Sequence, residues 1–267
     1  MDTAERGLLE EALRKTMTTS EPGAGLDAAL ADLGWTQMLA EEPDTAVPLV
    51  FRLLGETGAQ SAVLNDVVLH AAGRPVGGTL PLPYAGGLWV EWARDGSPGA
   101  GALDPGLPLR RVDPGEAVPL GAVPLGAGWR ALGWWLLGTG RAMLGLAREH
   151  VLDRQQFGRP LASFQALRHR LAEAFVALEG AEAALGAAED DTGALLAKAA
   201  AGRAALTTAR HCQQALGGIG FTAEHALHRH VKRALVLDGL LGSTRELTRE
   251  AGALLLRERR ARRLVDL

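Results

Sequence analysis

Cysteine is almost absent. Cys212 stands alone among 267 residues, which excludes an internal disulfide and argues against a cysteine-based metal site. Between Ala209 and Leu216 in a helical pattern, it reads as a small buried apolar residue. Lysine is nearly missing too: Lys15, Lys198 and Lys232 are the three present, and arginine carries the remaining positive charge. Aromatics make up 4%. No apolar run approaches the ~18 residues of a membrane span. The start, Met1-Asp2-Thr3-Ala4-Glu5-Arg6, lacks the basic-then-apolar order of a secretory signal; a cytoplasmic protein is expected. A net charge of −3 and a pI near 6.2 provide no basic field for nucleic acid. What is present, 47% hydrophobic and 22% charged residues in 28.0 kDa, suits one large globular domain or two small ones.

Three zones are expected. Residues 1–74 read as helical: Leu8, Leu9, Ala12 and Leu13 share one face, and Leu26, Ala29, Leu30 and Leu33 another. Gly34 follows as a C′ glycine. Val63, Leu64, Val67, Val68 and Leu69 form a third segment. Residues 75–124 hold nine of the 13 prolines and ten glycines, which excludes long helices. Leu88–Trp92 and Leu109–Val112 read as short strands in a reduced β-rich segment of about four or five strands. From 125 to 267 the pattern is helical. Leu132, Trp135, Leu136, Met143, Leu144 and Leu146 lead to Arg154. Leu167, Leu171, Phe175, Leu178 and Leu185 form a stripe. Asp190 to Thr192 supply an N-cap, Thr222 with Glu224 caps the helix after a glycine break, and Ser243 to Glu246 form a capping box. Four long helices with short connections predict an antiparallel bundle, so the fold class is mostly α. Trp129, Trp134 and Trp135 read as core or subunit-interface anchors. Arg257, Arg259, Arg260, Arg262 and Arg263 make a basic C-terminus, read as a solvated helix end.

Two blocks carry chemistry. The first is Arg154-Gln155-Gln156-Phe157-Gly158-Arg159-Pro160-Leu161, with Ser163-Phe164-Gln165. The second is Gln214-Ala215-Leu216-Gly217-Gly218-Ile219-Gly220-Phe221-Thr222. Alone, Arg154 is a solvated helix-end arginine and Gly217-Gly218 a helix stop. In this order and spacing they resemble the C-terminal helical half of the acyl-CoA dehydrogenase family, over residues 125–256. These flavoproteins remove two hydrogens across the α–β bond of a CoA thioester. The resemblance implies that Arg154 meets the FAD pyrophosphate held mainly by a neighbouring chain, where a guanidinium fork suits phosphate oxygens. It implies Gln156 and Phe157 on the adenosine side, with Leu161 and Phe164 packing nearby. Gln214, Gly217 and Gly218 would meet the same cofactor, the glycines admitting close backbone approach. His225 and His228 read as structural helix residues.

The family's base is not found where the resemblance looks for it. Abstracting a proton α to a thioester carbonyl needs a positioned carboxylate. In many members a Glu precedes a Gly near the C-terminus; here Leu241 precedes Gly242. In a second subgroup the Glu lies just before the first bundle helix; here the stretch is Gly126-Ala127-Gly128-Trp129-Arg130. Asp238 reads as an exposed or capping acid, and Glu246 is explained by its capping box. Ser20-Glu21-Pro22-Gly23-Ala24-Gly25-Leu26-Asp27 imitates a family stretch of the flavin-covering domain but lies in the wrong zone. It is read as a loop and helix entry. The resemblance therefore implies a degenerate subunit without a catalytic residue of its own. Its expected partner is a longer dehydrogenase homologue in an α2β2 heterotetramer, with FAD shared at the interface and the acyl-CoA, sterol-derived or otherwise bulky, reached through the partner. The alternatives are a self-sufficient homo-oligomeric dehydrogenase with an atypical base such as Asp238, and a flavin-free structural or interaction protein on the same bundle.

Overall fold

The computed structural model describes residues 3–94, 103–104, 106–113 and 125–259. Five helices come first: α1 Thr3–Thr19, α2 Ala24–Asp32, α3 Trp35–Glu41, α4 Pro43–Thr57 and α5 Val63–Ala71. The α2 pattern is as expected: Leu26 and Leu30 are buried, and Gly34 follows the C-cap Leu33 at φ 84. On α1 the face is rotated from the expected one. Leu13 and Met17 are buried, but Leu8 is 69% exposed, because Leu9, Leu13 and Met17 follow the i, i+4, i+8 line that meets α4. Pro43 fits the first turn of α4, where no amide bond is lost, while Pro48 lies within the helix.

Three described strands follow, β1 Pro81–Tyr84, β2 Leu88–Trp92 and β3 Leu109–Arg111, antiparallel in the order β1-β2-β3. The two expected strands are both present. Leu82, Val90 and Trp92 point inward, and Trp92 stacks on Trp135 at 5.3 Å between ring centroids. Arg94, just after β2, pairs with Asp27 of α2 and Asp66 of α5. Asp66 also accepts the Trp35 indole N–H at 3.1 Å and the Gly77 amide at 2.8 Å. The partly buried charges are thus paired and hydrogen-bonded, as burial demands.

The bundle comprises α6 Leu125–Asp153, α7 Gln165–Gly186, α8 Asp191–Leu216, α9 Leu227–Gly239 and α10 Thr244–Glu258. A two-stranded hairpin, β4 Gln155–Gln156 and β5 Arg159–Pro160, joins α6 to α7. The last two helices are separated between Gly239 and Ser243, where the expected box starts α10. Asp190 caps α8 by accepting the Gly193 amide, and Ser243 with Glu246 forms the expected capping box. Thr222 and Glu224 do not cap α9. That helix starts at Leu227, and Thr222 closes the preceding 3-10 turn by donating to the Ile219 carbonyl. Local hydroxyl–backbone bonding won over the cap there. Phe175 leaves the α7 stripe at 53% exposed; Ala174, Leu178, Ala181 and Leu185 form the buried line. Of the tryptophans, Trp135 and Trp129 are buried and Trp134 is half-buried. Cys212 is fully buried, and its thiol is pushed up to about 12 by that burial. Arg257 and Arg259 are exposed; Arg260, Arg262 and Arg263 lie outside the described residues.

Helix α6 is the hub, packed against α4, α7, α8 and α9. Glycines set its approaches. A Cβ on Gly133 or Gly140 would run into Leu185 or Leu178 of α7. At the α4 crossing, a Cβ on Gly138 would overlap the Arg52 carbonyl, and one on Gly55 would overlap backbone at Trp135 and Thr139. Gly126 lies against Asp191, so α6 and α8 start together and run parallel, with α7 antiparallel between them. Their C-terminal ends therefore share one end of the bundle.

Candidate functional site

Both sequence blocks fall at that shared end. Arg154 directly follows α6, its amide bonded to the His150 carbonyl at 2.9 Å and its carbonyl accepting from the Leu161 amide at 2.8 Å. The β4–β5 turn between these anchors is Phe157-Gly158, with φ of 55 and 74. A two-residue hairpin of this hand needs positive φ at both positions. Glycine adopts it freely, whereas phenylalanine carries a cost of about 1–2 kcal/mol. The side chain does not recover that cost by burial, since Phe157 is 89% exposed. Its ring meets Phe164 edge-on at 6.0 Å, and the Arg159 guanidinium sits 4.2 Å over the Phe164 ring. Leu161 and Phe164 are half-buried, and Gln156 is exposed with its amide turned onto the Gln155 carbonyl at 2.8 Å.

The Arg154 guanidinium has no hydrogen-bond or ion-pair partner among the described residues. With Leu146, Glu149, His150, Asp153 and His225 it lines an open cleft of about 400 Å³. His150 and His225 meet edge-on at 6.2 Å. His225 precedes α9 rather than lying in it, and its Nδ1 accepts the Leu227 amide at 3.1 Å; His228 is within the helix. On the second block, Gln214 is exposed and its carbonyl accepts the Gly217 amide. Gly217 (φ 63, ψ −139) is in a region open to glycine alone. A Cβ on Gly217 or Gly218 would meet nothing within 4 Å, whereas one on Gly220 would lie 2.7 Å from the Gln213 carbonyl. So Gly220 serves packing, while Gly217 and Gly218 leave bare backbone facing open space. An anionic nucleotide fits such a surface: unpartnered guanidinium, exposed aromatic and naked backbone at one end of the bundle.

The two stretches searched for a carboxylate meet each other at the start of α6. Leu241 is 2% exposed and holds φ 57, followed by Gly242 at φ 96. The Leu241 amide donates to the Pro83 carbonyl at 2.8 Å, and its carbonyl accepts the Trp129 indole N–H at 2.8 Å. A Cβ on Gly128 would lie 2.5 Å from the Leu241 side chain. Tyr84 covers Gly239 equally closely. The Asp238 carboxylate is occupied as a capping acid, taking the Thr244 amide and hydroxyl. Glu246 takes the Gly86 amide at 2.9 Å and the Ser243 hydroxyl and amide; these bonds, Gly86 first, hold it down at about 2.

Lys198, which the sequence analysis did not single out, closes this junction. Its ammonium donates to the Asp238 carbonyl at 2.9 Å and to the Gly242 carbonyl. It is 1% exposed, and burial pulls it down to about 7 against the fields of Asp238 and Glu246. The signal was available: a lone lysine in an alanine-rich buried helix face (Ala194, Leu195, Ala197, Ala201) has no route to solvent. Among the described residues no cluster suits a metal ion, and no helix is long and apolar enough to cross a membrane.

Residues 128–253 match the family described as acyl-CoA dehydrogenase, C-terminal domain. Acyl-CoA dehydrogenase IpdE2 of Mycobacterium tuberculosis is 36% identical over 168 residues, 61% of this chain and 53% of that protein. FadE34 of the same organism is 37% identical over 140 residues, covering 49% of this chain and 20% of its own. The alignment thus spans about half or less of the length of these relatives. Among solved structures, a chain of the Tcur3481-Tcur3483 steroid ACAD superposes with a TM-score of 0.73 at 20% identity, covering 96% of this chain and 99% of that one. A chain of the ChsE4-ChsE5 complex from Mycobacterium tuberculosis gives 0.66 at 18% identity, covering 96% and 97%. At those identities the likeness is one of fold.

Proposed function

This chain belongs to the acyl-CoA dehydrogenase family, and from that premise we propose that it is the non-catalytic subunit of a heteromeric FAD-dependent acyl-CoA dehydrogenase. It completes the FAD site of a longer homologous chain in an α2β2 assembly. One observation carries the reading: the two ends of the bundle are built oppositely. At one end the Arg154 guanidinium is unpartnered among the described residues, Phe157 is 89% exposed, and Gly217 and Gly218 face open space. At the other, Leu241, Trp129 and Tyr84 are packed together where the family places its base.

Arg154 would hold the FAD pyrophosphate through a bidentate fork. Gln156 and Phe157 would line the adenosine, backed by Leu161 and Phe164, and Gln214, Gly217 and Gly218 would let backbone approach the same nucleotide. Bound flavin supplies the two-electron acceptor for α,β-desaturation of the thioester. The proton acceptor comes from the partner chain, since Leu241 has no proton-binding group and Asp238 is engaged with Thr244. The names of the solved neighbours include a steroid ACAD, which favours a sterol-derived acyl-CoA as the substrate.

Co-production with longer dehydrogenase homologues of the same genome tests the proposal. The lone chain is expected to be colourless or unstable, and the matched complex yellow and active with acyl-CoA. Arg154→Ala should lower flavin retention in the complex by about tenfold or more, the loss of a charge-assisted pair. A lone chain that is yellow and oxidises acyl-CoA would establish a self-sufficient enzyme instead. Colourless product with every homologue would leave a flavin-free interaction protein.

A further inference from the structure

The open cleft beside Arg154 contains a group that the proposed flavin contacts do not use. His150, in the last turn of α6, has no hydrogen-bond partner on either ring nitrogen among the described residues. It faces His225 from the segment before α9, and Arg154, Asp153 and Glu149 from its own end of α6. These are the titratable and charged groups lining the cleft. With both imidazoles neutral, Arg154 against Glu149 and Asp153 leaves a formal charge of −1 (+1 − 2) there, and the C-terminal end of α6 adds negative dipole. A diphosphate would be repelled by that balance. One added proton brings the cleft to zero and places a second cation beside the guanidinium.

The two imidazoles are not equivalent. Nδ1 of His225 accepts the Leu227 amide at the start of α9, and the His225 carbonyl holds His228 Nδ1 at 2.8 Å. With Nδ1 taken as the acceptor of that amide, the ring's N–H is on Nε2 and points away from α9's first turn as a donor. His150 has no such commitment. We propose that His150 is a second anchor for the diphosphate taken by Arg154, that it takes up a proton when the diphosphate binds, and that His225 contributes its Nε2–H as a donor. This rests on the nucleotide reading above and adds to it a proton linked to cofactor binding.

Energetically the free cleft opposes the proton and the anion restores it. Burial, then His225, then Arg154 lower the His150 basicity, while Asp153 raises it. A diphosphate within ~4–6 Å favours the charged form. The pKa of His150 is therefore below its ordinary value in the free chain and higher in the loaded one. Between those two values nucleotide affinity falls as pH rises; outside them it is flat.

Proton NMR of the histidine ring resonances in the full-length chain reads this directly, with His150→Gln assigning the signal. Inorganic pyrophosphate should raise the His150 midpoint by about one unit, the scale of a nearby opposite charge. Sodium chloride of equal ionic strength should not, and Arg154→Ala should abolish the rise. A midpoint that ignores pyrophosphate, or follows chloride equally, overturns the inference. In the partnered complex, flavin and coenzyme A carry the same diphosphate chemistry, and their release is followed separately between about pH 5.5 and 8. Flavin retention that weakens with pH in the parent and not in His150→Gln supports the assignment. The same dependence on coenzyme A alone overturns it. A yellow complex that loses flavin with Arg154→Ala but shows no His150 response would sink this inference and leave the proposed function standing.

Discussion

A buried ammonium is the most consequential single residue outside the nucleotide end. Lys198 donates to the carbonyls of Asp238 and Gly242, the two sides of the break between α9 and α10. Removing it leaves two buried acceptors without a donor, at about 1–3 kcal/mol each, partly offset because an ammonium no longer needs to be buried. Lys198→Met should therefore lower stability at pH 7 by about 1–3 kcal/mol. The pH dependence separates this from mere repacking. The folded-state value is about 7 against 10.5 for an ordinary lysine. Between those values the unfolded chain holds a proton that the folded chain has released, so raising the pH stabilises the fold. Denaturant titrations at stepped pH should show the parent gaining on Lys198→Met from pH 7 upward; parallel curves would refute it. Glu246 has the same sign in a lower pH window, because its folded-state value is also depressed. Its value is depressed from 4.5 to about 2, so its contribution is complete above 4.5 and lost as pH falls through 2. Glu246→Gln should flatten the acid limb of a melting-temperature profile and cost about 1 kcal/mol at neutral pH, as a lost cap does.

At the scale of elements, the crossing of α4 over α6 is fixed by two glycines. Gly55 and Gly138 allow backbone to touch backbone; neither has positive φ, so only space demands glycine here. Gly138→Ala must push the helices apart against a core that includes Phe51, Trp135 and Leu54. A loss of about 1–3 kcal/mol is expected from such overpacking, despite alanine's better helix propensity. Circular-dichroism melts decide it; an unchanged or raised midpoint would contradict the crossing. Nothing local announces this contact, because glycine in a helical pattern looks the same whether it faces solvent, as Gly145 does, or a second backbone. What was legible was local. Asp190 and the Ser243 to Glu246 box show their caps within four residues, and the α2 stripe repeats within nine. The start of α9 was misplaced because Thr222 had two local options. The box also marks the break before α10, but not what holds it: Pro83, Trp129 and Lys198 fix Leu241 and Gly242 from three other elements. For the candidate site, residue identities were legible and their setting was not. The exposure of Phe157 and the His150–His225 contact depend on how elements far apart in the chain pack at one end of the bundle.

For the molecule as a whole, distance decides what one copy can do. Gly128 and Arg154 bracket nearly all of α6, and 26 residues at 1.5 Å each separate them by about 39 Å. On the proposed function, the open Arg154 end and the packed Leu241 end of one chain would therefore belong to different active sites. Supplying the missing carboxylate should accordingly fail. In Leu241→Glu the acid would enter a place that is 2% exposed, beside Trp129 and Tyr84, with left-handed backbone and with the Lys198 ammonium already committed to two carbonyls. Burying an unpaired carboxylate there should cost about 3 kcal/mol or more, so the variant should melt well below the parent. No acyl-CoA oxidation should appear in the lone chain, since the proposed nucleotide contacts lie at the far end. Activity gained by Leu241→Glu in the absence of any partner would mean that the two ends of the bundle do serve one site, and the division of labour between two chains would have to be abandoned.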